Sequence, residues 1–553
     1  MNYFFKILLF LIFWSAYAYP LFSQIPVFSN PIIKGGYSNP SICKVGDDFY
    51  IVNSSFEYYP SLPIHHSKDF ANWNLISHGI NKKEQFSGKI NLLNSNLNSG
   101  IQNPTMRYHN GKFYIVANSK KTGEKKLTSQ NINFVISAKS PKGPWSNPII
   151  IEDLKADKID LFFDNNKVFV SYSEGEKSSN ISSLWLQELD STTFQFIGER
   201  NLLWTNYSFK NYVENSHIYK KDSGYLLLIN FIDSSNYRTS KIYNCKNLND
   251  PFKNNIEIYN SNNPLKKWMS DFRNTDMVEI SNNRLVFVGD GIRNKDYNPS
   301  NIGKETFIAS LENDTTQNSN NLTFEIQKKQ AYFLPINDLE YEPPTLSYEF
   351  YDNKLDINWV HRKEKLENSY DLITENGFVK MNCLSPVINK NTGYNFIGLK
   401  QKENNFEVST TMIFNPTQNG EEAGLCMIQK DDNYILFDVK REDNENVLQL
   451  VINPKNKNAI LKKDLVMKKF KNHIELKISS DNGIQQYYYR FQSNELWKLF
   501  ETSSSEIVLS EGNTASCFGL YATSNGTKSS NFAKFDLFKI IYLNSPILLK
   551  KHE

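Results

Sequence analysis

A short pattern recurs five times in the first half of the chain: a polar turn, then a run of aromatic and β-branched residues. The copies begin at Gly46, Asn110, Asn165, Asp222 and Asn282, about 60 residues apart. A turn of Gly, Asn or Asp before such a run is typical of a β-hairpin, and this spacing accommodates one four-stranded blade. Because separate hairpins could not bury these aromatic faces, the repeat predicts a five-bladed β-propeller.

The pattern changes in the second half of the chain. Residues 326–345 contain three prolines and are interpreted as a linker. Beyond them, short segments such as 406–412 and 473–478 alternate apolar and polar residues, which is typical of an antiparallel β-sandwich. No long helical period follows the N-terminal segment. We therefore predict an all-β protein with a propeller at 25–325 and a sandwich at 346–550.

The N-terminus has the features of an export signal. Lys6 precedes the apolar run Ile7–Trp14, and small residues follow at Ala16–Ala18. The run is too short to span a bilayer as a permanent helix. We expect residues 1–24 to be a signal peptide, the protein to be exported to the periplasm or the medium, and no membrane association after cleavage.

Charge and cysteine content exclude several classes of function. The 62 Lys and Arg residues nearly balance the 59 Asp and Glu residues, so we expect no nucleic-acid partner. The five cysteines are scattered and form no CxxC pair. The adjacent pair His65-His66 would point to opposite faces of a strand and could not share an ion. No metal site is predicted from these residues.

The residues that could carry chemistry lie in a few segments whose order along the chain is informative. These segments are Gly35–Tyr50, Gly100–His109, Ile159–Asp164, Val213–Lys220 and Gly291–Arg293. Together they resemble glycoside hydrolase family 43, the β-xylosidases and α-L-arabinofuranosidases, and specifically its members with a C-terminal sandwich domain. The resemblance implies a concanavalin-like sandwich, and as substrate a plant-type polysaccharide or oligosaccharide that contains xylose or arabinose.

The resemblance also implies a mechanism, hydrolysis by single displacement with inversion. One carboxylate deprotonates water while a carboxylic acid about 6.5–9.5 Å away protonates the leaving oxygen. A third carboxylate orients the acid and raises its pKa by like-charge repulsion. Glu214 in the segment Val213–Lys220 matches the general acid.

The orienting carboxylate has two candidates. Asp160 precedes Leu161 and a Phe-Phe-Asp run as the family's aspartate does, although the two residues that usually separate that aspartate from the leucine are missing. Asp157 is the alternative. We take Asp160 as the orienting group and keep Asp157 open.

The general-base position departs from the family, because Asn39 stands where the family has aspartate. An amide can hold water or a sugar hydroxyl, but it cannot accept the proton of the attacking water. Loss of a general base costs about 10²–10⁴ in rate. Another carboxylate substitutes, hydrolysis is slow, or the site binds sugar without cutting it.

Four other positions have expected roles. Phe56 and Arg293 are expected to contact the sugar, as an aromatic wall and a charged donor. Arg238 and Asn274 stand where the family often has histidines, and the second of these histidines can help to hold a central calcium ion. We expect no required cofactor, and a structural calcium remains an alternative that the sequence does not favour.

The sequence is compatible with two functions that belong to different classes. The first is an exported glycosidase, and the sequence leaves β-xylosidase and α-L-arabinofuranosidase both open. The second is a catalytically impaired, sugar-binding relative of such enzymes, which Asn39 suggests.

Overall fold

The computed structural model of this chain describes residues 27–92, 99–122, 129–176, 181–206, 211–221, 224–233, 238–248, 250, 252–259, 268–280, 285–295, 298–313, 322–326, 329–331, 345–388, 393–454, 461–468, 470–505 and 514–543. The predicted signal peptide and most of the predicted linker lie outside these residues. Within them we find no α-helix, one 3₁₀ turn at Lys83–Gln85, and no helix long and apolar enough to cross a membrane. The prediction of an all-β protein is confirmed.

The N-terminal part consists of strands that are mostly paired with their neighbours in the chain. These strands are β1 (Val27–Ser29), β2 (Ser41–Val45), β3 (Asp48–Val52), β4 (Tyr58–Tyr59), β5 (Ser61–Ser67), β6 (Asn74–Ile80), β7 (Gly100–His109), β8 (Lys112–Thr122), β9 (Ser129–Ala138), β10 (Ile149–Ile150), β11 (Ile159–Asp164), β12 (Lys167–Glu176), β13 (Ile181–Leu189), β14 (Phe196–Asn206), β15 (Asn211–Lys221), β16 (Gly224–Asp233), β17 (Arg238–Cys245), β18 (Lys253–Tyr259), β19 (Met269–Glu279), β20 (Leu285–Lys295), β21 (Asn298–Asn313), β22 (Leu322–Glu325) and β23 (Lys329–Ala331).

Five antiparallel units of four strands make up this part: β2-β3-β5-β6, β7–β10, β11–β14, β15–β18 and β19–β22. The first strands of these units, β2, β7, β11, β15 and β19, contact one another in a closed ring. Strands β18 and β22 also pair in parallel and join the last two units at their outer edges. A closed ring of five four-stranded units is a five-bladed β-propeller, as the repeat predicted.

The recurring turns connect the first and second strands of the blades. Asn110 and Gly111 have φ values of +47° and +75°, and Asn165 and Asn166 have +47° and +63°. Two consecutive residues with positive φ match the twist of the flanking strands in a two-residue hairpin, and Asn and Gly adopt this conformation at low cost. The fourth and fifth predicted turns include positions outside the described residues.

The C-terminal part forms two antiparallel sheets. Its strands are β24 (Thr345–Tyr348), β25 (His361–Arg362), β26 (Tyr370–Asp371), β27 (Val379–Asn382), β28 (Phe396–Lys400), β29 (Phe406–Phe414), β30 (Glu422–Lys430), β31 (Asn433–Glu442), β32 (Glu445–Asn453), β33 (Leu461–Val466), β34 (His473–Asp481), β35 (Ile484–Arg490), β36 (Lys498–Ser504), β37 (Cys517–Thr523) and β38 (Phe532–Tyr542).

One sheet has the order β26-β27-β38-β29-β34-β35-β36, with β24 also on β38, and the other has the order β28-β37-β30-β31-β32-β33. Alternate residues of β29 are buried, and Phe406, Val408 and Met412 belong to a single apolar core with residues of both sheets, such as Leu425 and Phe518. This two-layer arrangement confirms the predicted β-sandwich.

The two domains are joined by a pair of short strands and a buried arginine. Strand β25 of the sandwich domain pairs with β4 of the propeller. The guanidinium of Arg362 lies 3.6 Å from Oε2 of Glu57 in the propeller and 3.0 Å from Oδ1 of Asp431 in the sandwich. Since Arg362 and Glu57 are each 1% exposed, this bridge holds two carboxylates from different domains around one desolvated cation.

Replacement of Arg362 by Met should therefore be costly. Removing the cation from a buried ion pair destabilises proteins by about 3–5 kcal/mol, and we expect a loss of that size in urea unfolding of Arg362→Met. Arg200→Met, which removes an exposed partner of Glu174, should change the free energy of unfolding by less than about 1 kcal/mol. Equal effects of the two replacements would contradict this account of the interface.

Candidate functional site

Residues from all five blades meet at one end of the propeller axis. Asn39, Asn103, Lys158, Asn215 and Asn274 line a small cavity there, and each comes from the innermost strand of a different blade or from the segment just before it. We call this end of the axis the propeller mouth. It is the candidate active site.

The innermost strands are irregular where they reach the mouth. The pairing of β7 slips between Gln102 and Thr105, and that of β15 slips between Val213 and Asn215. Bulges redirect side chains and are common beside active sites. The bulge in β7 contains Pro104, which has no N–H for the ladder, and the bulge in β15 contains Glu214, which directly precedes the cavity-lining Asn215.

The structure places Asn39 in the mouth, where its amide makes two hydrogen bonds within the protein. Its side-chain oxygen accepts from Nδ2 of Asn274 at 3.1 Å, and its Nδ2 donates to Oδ1 of Asn103. Its backbone N–H donates to Oδ2 of Asp290 at 2.8 Å. Residue 39 is 9% exposed and has a φ of +50°, which asparagine tolerates better than most residues. The amide is held in place by the protein, and it carries no charge that could take a proton.

Glu214 lies beside this cavity, next to Asn215, and is surrounded by cations. Its carboxylate is 3.3 Å from Nε of Arg238 and 3.7 Å from Nη1 of Arg273. Arg273 also lies 3.4 Å from Asp290, which binds the backbone of Asn39. The predicted acid and the predicted base position are therefore linked through two intervening side chains.

The surroundings of Glu214 favour its charged form. Burial alone raises the pKa of this carboxyl, but Lys158, Arg273 and Arg238 together lower the pKa below its usual value. Asp271 shares two of these cations, lying 2.9 Å from Arg238 and 3.8 Å from Arg273. A general acid needs a raised pKa, so the direction here is opposite to the one expected from the family mechanism.

The two candidates for the orienting carboxylate have other partners. Asp160 is 1% exposed, and its Oδ2 is bound by Arg107 at 2.5 Å and by Nδ1 of His217 at 3.0 Å. Asp157 has an exposed side chain 3.6 Å from Lys120, and its backbone carbonyl accepts from Asn103 at 3.0 Å. The role of either residue in orienting Glu214 stays a prediction.

Lys158 is a site residue that the sequence analysis missed. Its Nζ donates to Oδ1 of Asn274, and its charge lowers the pKa of Glu214. The sequence did contain a signal for it. In the family pattern two residues usually separate the aspartate from the leucine. If Leu161 is that leucine, the aspartate corresponds to position 158. The sequence has lysine there.

Deeper along the axis, each of the five innermost strands contributes to one polar network. Its members are Ser41, Arg107, Asp160, His217, Tyr219 and Asp276. We call this the axial cluster. Arg107 lies at its centre, 2.5 Å from Asp160 and 3.3 Å from Asp276, while Ser41 donates to Asp276 at 2.7 Å.

A central calcium ion does not fit these residues. Calcium prefers six to eight oxygen ligands, and the axial carboxylates of Asp160 and Asp276 are such ligands. Both are already bound by the guanidinium of Arg107, which would repel a second cation. Asn274, at the position of the family's second histidine, is engaged by Lys158. Within the described ranges no group of three or more His, Cys, Asp or Glu residues could hold a metal ion.

Phe56 and Arg293 lie in protein contacts. Phe56 is 2% exposed and has an isolated bridge to Ile101 in β7. Arg293 donates to Glu305 at 2.9 Å and to Glu403 of the sandwich domain at 2.6 Å. These contacts account for both residues as structural elements, and their contacts with sugar stay predictions.

Asp276 should make the stability of the propeller depend on pH. Burial raises its pKa, but His217 and Arg107 and the hydroxyl donors of Tyr219 and Ser41 outweigh burial and lower the pKa to about 2. A carboxyl whose pKa is lower in the folded than in the unfolded protein stabilises the fold at pH values above its unfolded pKa, about 3.9 for aspartate. This stabilisation is lost as the pH falls toward the pKa in the folded protein. We expect Asp276→Asn to lose about 2 kcal/mol in urea unfolding at pH 7.

The difference in the free energy of unfolding between Asp276→Asn and the unmodified protein should shrink between pH 4 and pH 3. Asp47→Asn, at an exposed turn, is the matched control and should be neutral at each pH. A loss for Asp276→Asn that stays constant down to pH 3 would contradict a charge-based role.

Chelation should leave the propeller intact because Arg107 supplies the axial cation. We expect an excess of EDTA to leave the melting temperature unchanged, and Arg107→Met to lower it by several degrees. A fall in melting temperature on adding EDTA that calcium reverses would show that a metal ion does contribute.

The comparisons with known proteins agree with this architecture. Residues 28–315 match Glycosyl hydrolases family 43, and residues 347–541 match the Beta xylosidase C-terminal Concanavalin A-like domain. A Xylosidase/arabinosidase of Butyrivibrio fibrisolvens is 28% identical over 93% of this chain and 99% of its own length. A non-reducing end alpha-L-arabinofuranosidase of Bacteroides ovatus is 27% identical over 92% of this chain and 94% of its own.

Solved structures extend the similarity to the whole fold. The Bacteroides ovatus xyloglucan GH43B structure has a TM-score of 0.80 and 25% identity, and the match covers 93% of this chain and 99% of that one. The Bacillus halodurans xylan beta-1,4-xylosidase structure has a TM-score of 0.80 at 20% identity, with 93% and 100% covered. The first family match spans more than half of the chain. The chain therefore belongs to glycoside hydrolase family 43 and carries the concanavalin-like C-terminal domain of its β-xylosidases.

Proposed function

We propose that the propeller mouth of this glycosidase binds the terminal xylose or arabinose unit of plant-type oligosaccharides, and that Glu214 protonates the leaving oxygen in a single displacement with inversion. The observation that carries this proposal is the position of Glu214. It lies on the bulge of β15, beside the cavity that contains Asn39. The names of the two relatives above support the substrate class.

We expect the proposed reaction to be slow because of the residues that form the mouth. Water attacks the anomeric carbon while its proton has no carboxylate to go to at position 39. The amide of Asn39 uses one N–H for Asn103 and one oxygen lone pair for Asn274, so one donor and one acceptor remain that can orient the water or a sugar hydroxyl. Proton donation requires neutral Glu214, and its lowered pKa makes that form scarce at pH 7.

A second candidate function is sugar binding with negligible hydrolysis. Two observations favour it: neighbouring side chains hold the amide at position 39 in place while leaving it one donor and one acceptor, and the cations beside Glu214 lower its pKa and favour its charged form. A charged carboxylate and a fixed amide are good hydrogen-bond partners for sugar hydroxyls, and neither needs to move a proton to bind.

Activity assays with aryl β-xyloside, aryl α-L-arabinofuranoside and arabinoxylan oligosaccharides distinguish the two functions. For the enzyme we expect weak turnover that rises as pH falls from 7 toward 5, because the fraction of protonated Glu214 rises. Glu214→Gln should lose at least about 10²-fold in kcat, whereas Glu199→Gln, at an exposed position, should not change it.

Calorimetry with the same sugars completes the test. Binding without turnover supports the second function. The absence of both binding and turnover contradicts both functions. Asn39→Asp separates the remaining cases: a gain of two orders of magnitude in kcat means that only the base is missing, and no gain means that another feature of the mouth limits the reaction.

We also propose that the protein is exported, works without a cofactor, and does not bind nucleic acid. The apolar segment after Lys6 supports export, and the near balance of charge supports the absence of a nucleic-acid partner. N-terminal sequencing of the protein recovered outside the producing cell should begin after residue 18 or near residue 25.

A further inference from the structure

Lys158 changes the electrostatics of the mouth more than any other departure from the family pattern. It directly precedes β11 and lines the cavity with Asn39 and Asn274. The family pattern described above has an aspartate at this point, so the exchange reverses the charge beside Glu214. A neighbouring carboxylate favours a neutral acid, whereas a neighbouring ammonium favours a carboxylate.

Lys158 is also connected to the base position by hydrogen bonds. Its ammonium donates to Oδ1 of Asn274, and Nδ2 of Asn274 donates to Oδ1 of Asn39 at 3.1 Å. Nδ2 of Asn39 donates to Asn103, whose own Nδ2 donates to the carbonyl of Asp157 at 3.0 Å. This chain of hydrogen bonds thus starts at Lys158, crosses the mouth, and ends at Asp157, the residue before Lys158. In this chain every amide has a fixed orientation.

The replacements at positions 39 and 158 reinforce each other. With aspartates at both positions, the mouth would carry three carboxylates together with Glu214. As it stands it carries one carboxylate, one amide and one ammonium at these positions. An aspartate at position 39 would accept from Nδ2 of Asn274, but Lys158 would still favour the carboxylate form of Glu214, so restoring residue 39 alone does not restore the proton donor.

We propose that Lys158 is a positioning residue that holds Glu214 as a carboxylate and, through Asn274, holds Asn39 as a fixed amide, so that the mouth presents hydrogen-bond acceptors and donors to a sugar instead of a proton donor and a base. The proposal rests on the proposed function only in taking the mouth as the sugar site. Its electrostatic part concerns the empty protein and is tested without a sugar.

Arg238 and Arg273 also lie beside Glu214 and could account for its charge without Lys158. The two arginines are shared with Asp271, and Arg273 also lies 3.4 Å from Asp290. Their positive charge is therefore partly offset. The charge of Lys158 is also partly offset, by Asp290 and Asp157, but Lys158 lowers the pKa of Glu214 more than either arginine or Lys304 does, and its hydrogen bond goes to a neutral amide. This difference is the reason for assigning the decisive charge to Lys158.

The deciding experiment is a carbon-13 NMR titration of the Glu214 carboxyl in the full chain, with the resonance assigned by its loss in Glu214→Gln. In Lys158→Met we expect the pKa of Glu214 to rise by about 1 or more, and in Lys158→Asp to rise further. Lys155→Met, an exposed lysine three positions earlier, is the control and should leave it unchanged. An unchanged pKa in Lys158→Met overturns the proposal. If Lys158→Asp does not fold, the result for Lys158→Met is sufficient to decide the proposal.

Activity on the two aryl glycosides gives an independent readout. Asn39→Asp combined with Lys158→Asp should gain more in kcat than the product of the two single gains, and the alkaline limb of its pH profile should move to higher pH. A double variant no better than Asn39→Asp, in a protein that does turn over, contradicts a positioning role. If no variant binds or cleaves sugar, the proposed function fails, and the titration still decides the role of Lys158.

Discussion

The arrangement of the mouth depends on the ion pairs that Arg107 makes on the propeller axis. Arg107 from β7 binds Asp160 from β11 and Asp276 from β19, and β2 and β15 add hydroxyl and imidazole groups to the same network. Buried charges are stable only when they are paired and hydrogen-bonded. Because each partner comes from a different innermost strand, satisfying these charges fixes the positions of all five strands. The mouth residues are carried on the same strands or on the segments just before them.

The same ion pairs determine the surroundings of Asp160. The carboxylate of Asp160 neutralises the guanidinium of Arg107, and its second partner is His217. The residues left to surround Glu214 are mainly basic. Lys158 from the segment before β11, Arg273 from β19, Arg238 from β17 and Lys304 from β21 together outweigh burial in setting its pKa. The chemistry of the mouth thus follows from how charge is distributed between the axis and its end.

The sandwich domain is attached to the propeller by similar means. Arg362 links Glu57 to Asp431, and Arg293 links Glu305 to Glu403. In each case an arginine with two or more donor nitrogens binds a carboxylate from each domain, which a lysine could do with less geometric control. Arg293, which the motif suggested as a sugar contact, is a main element of this attachment.

The sequence by itself determined the fold class, because hairpin turns and the alternation of apolar residues are local signals with a fixed period. It also located Asn39 and Glu214, since each lies within a motif whose spacing is unbroken. Only the tertiary structure showed which groups surround Asp160, Lys158 and Arg293. Their partners lie tens to hundreds of residues away, and the charge state of a buried group depends on which of these partners packing brings within a few ångströms.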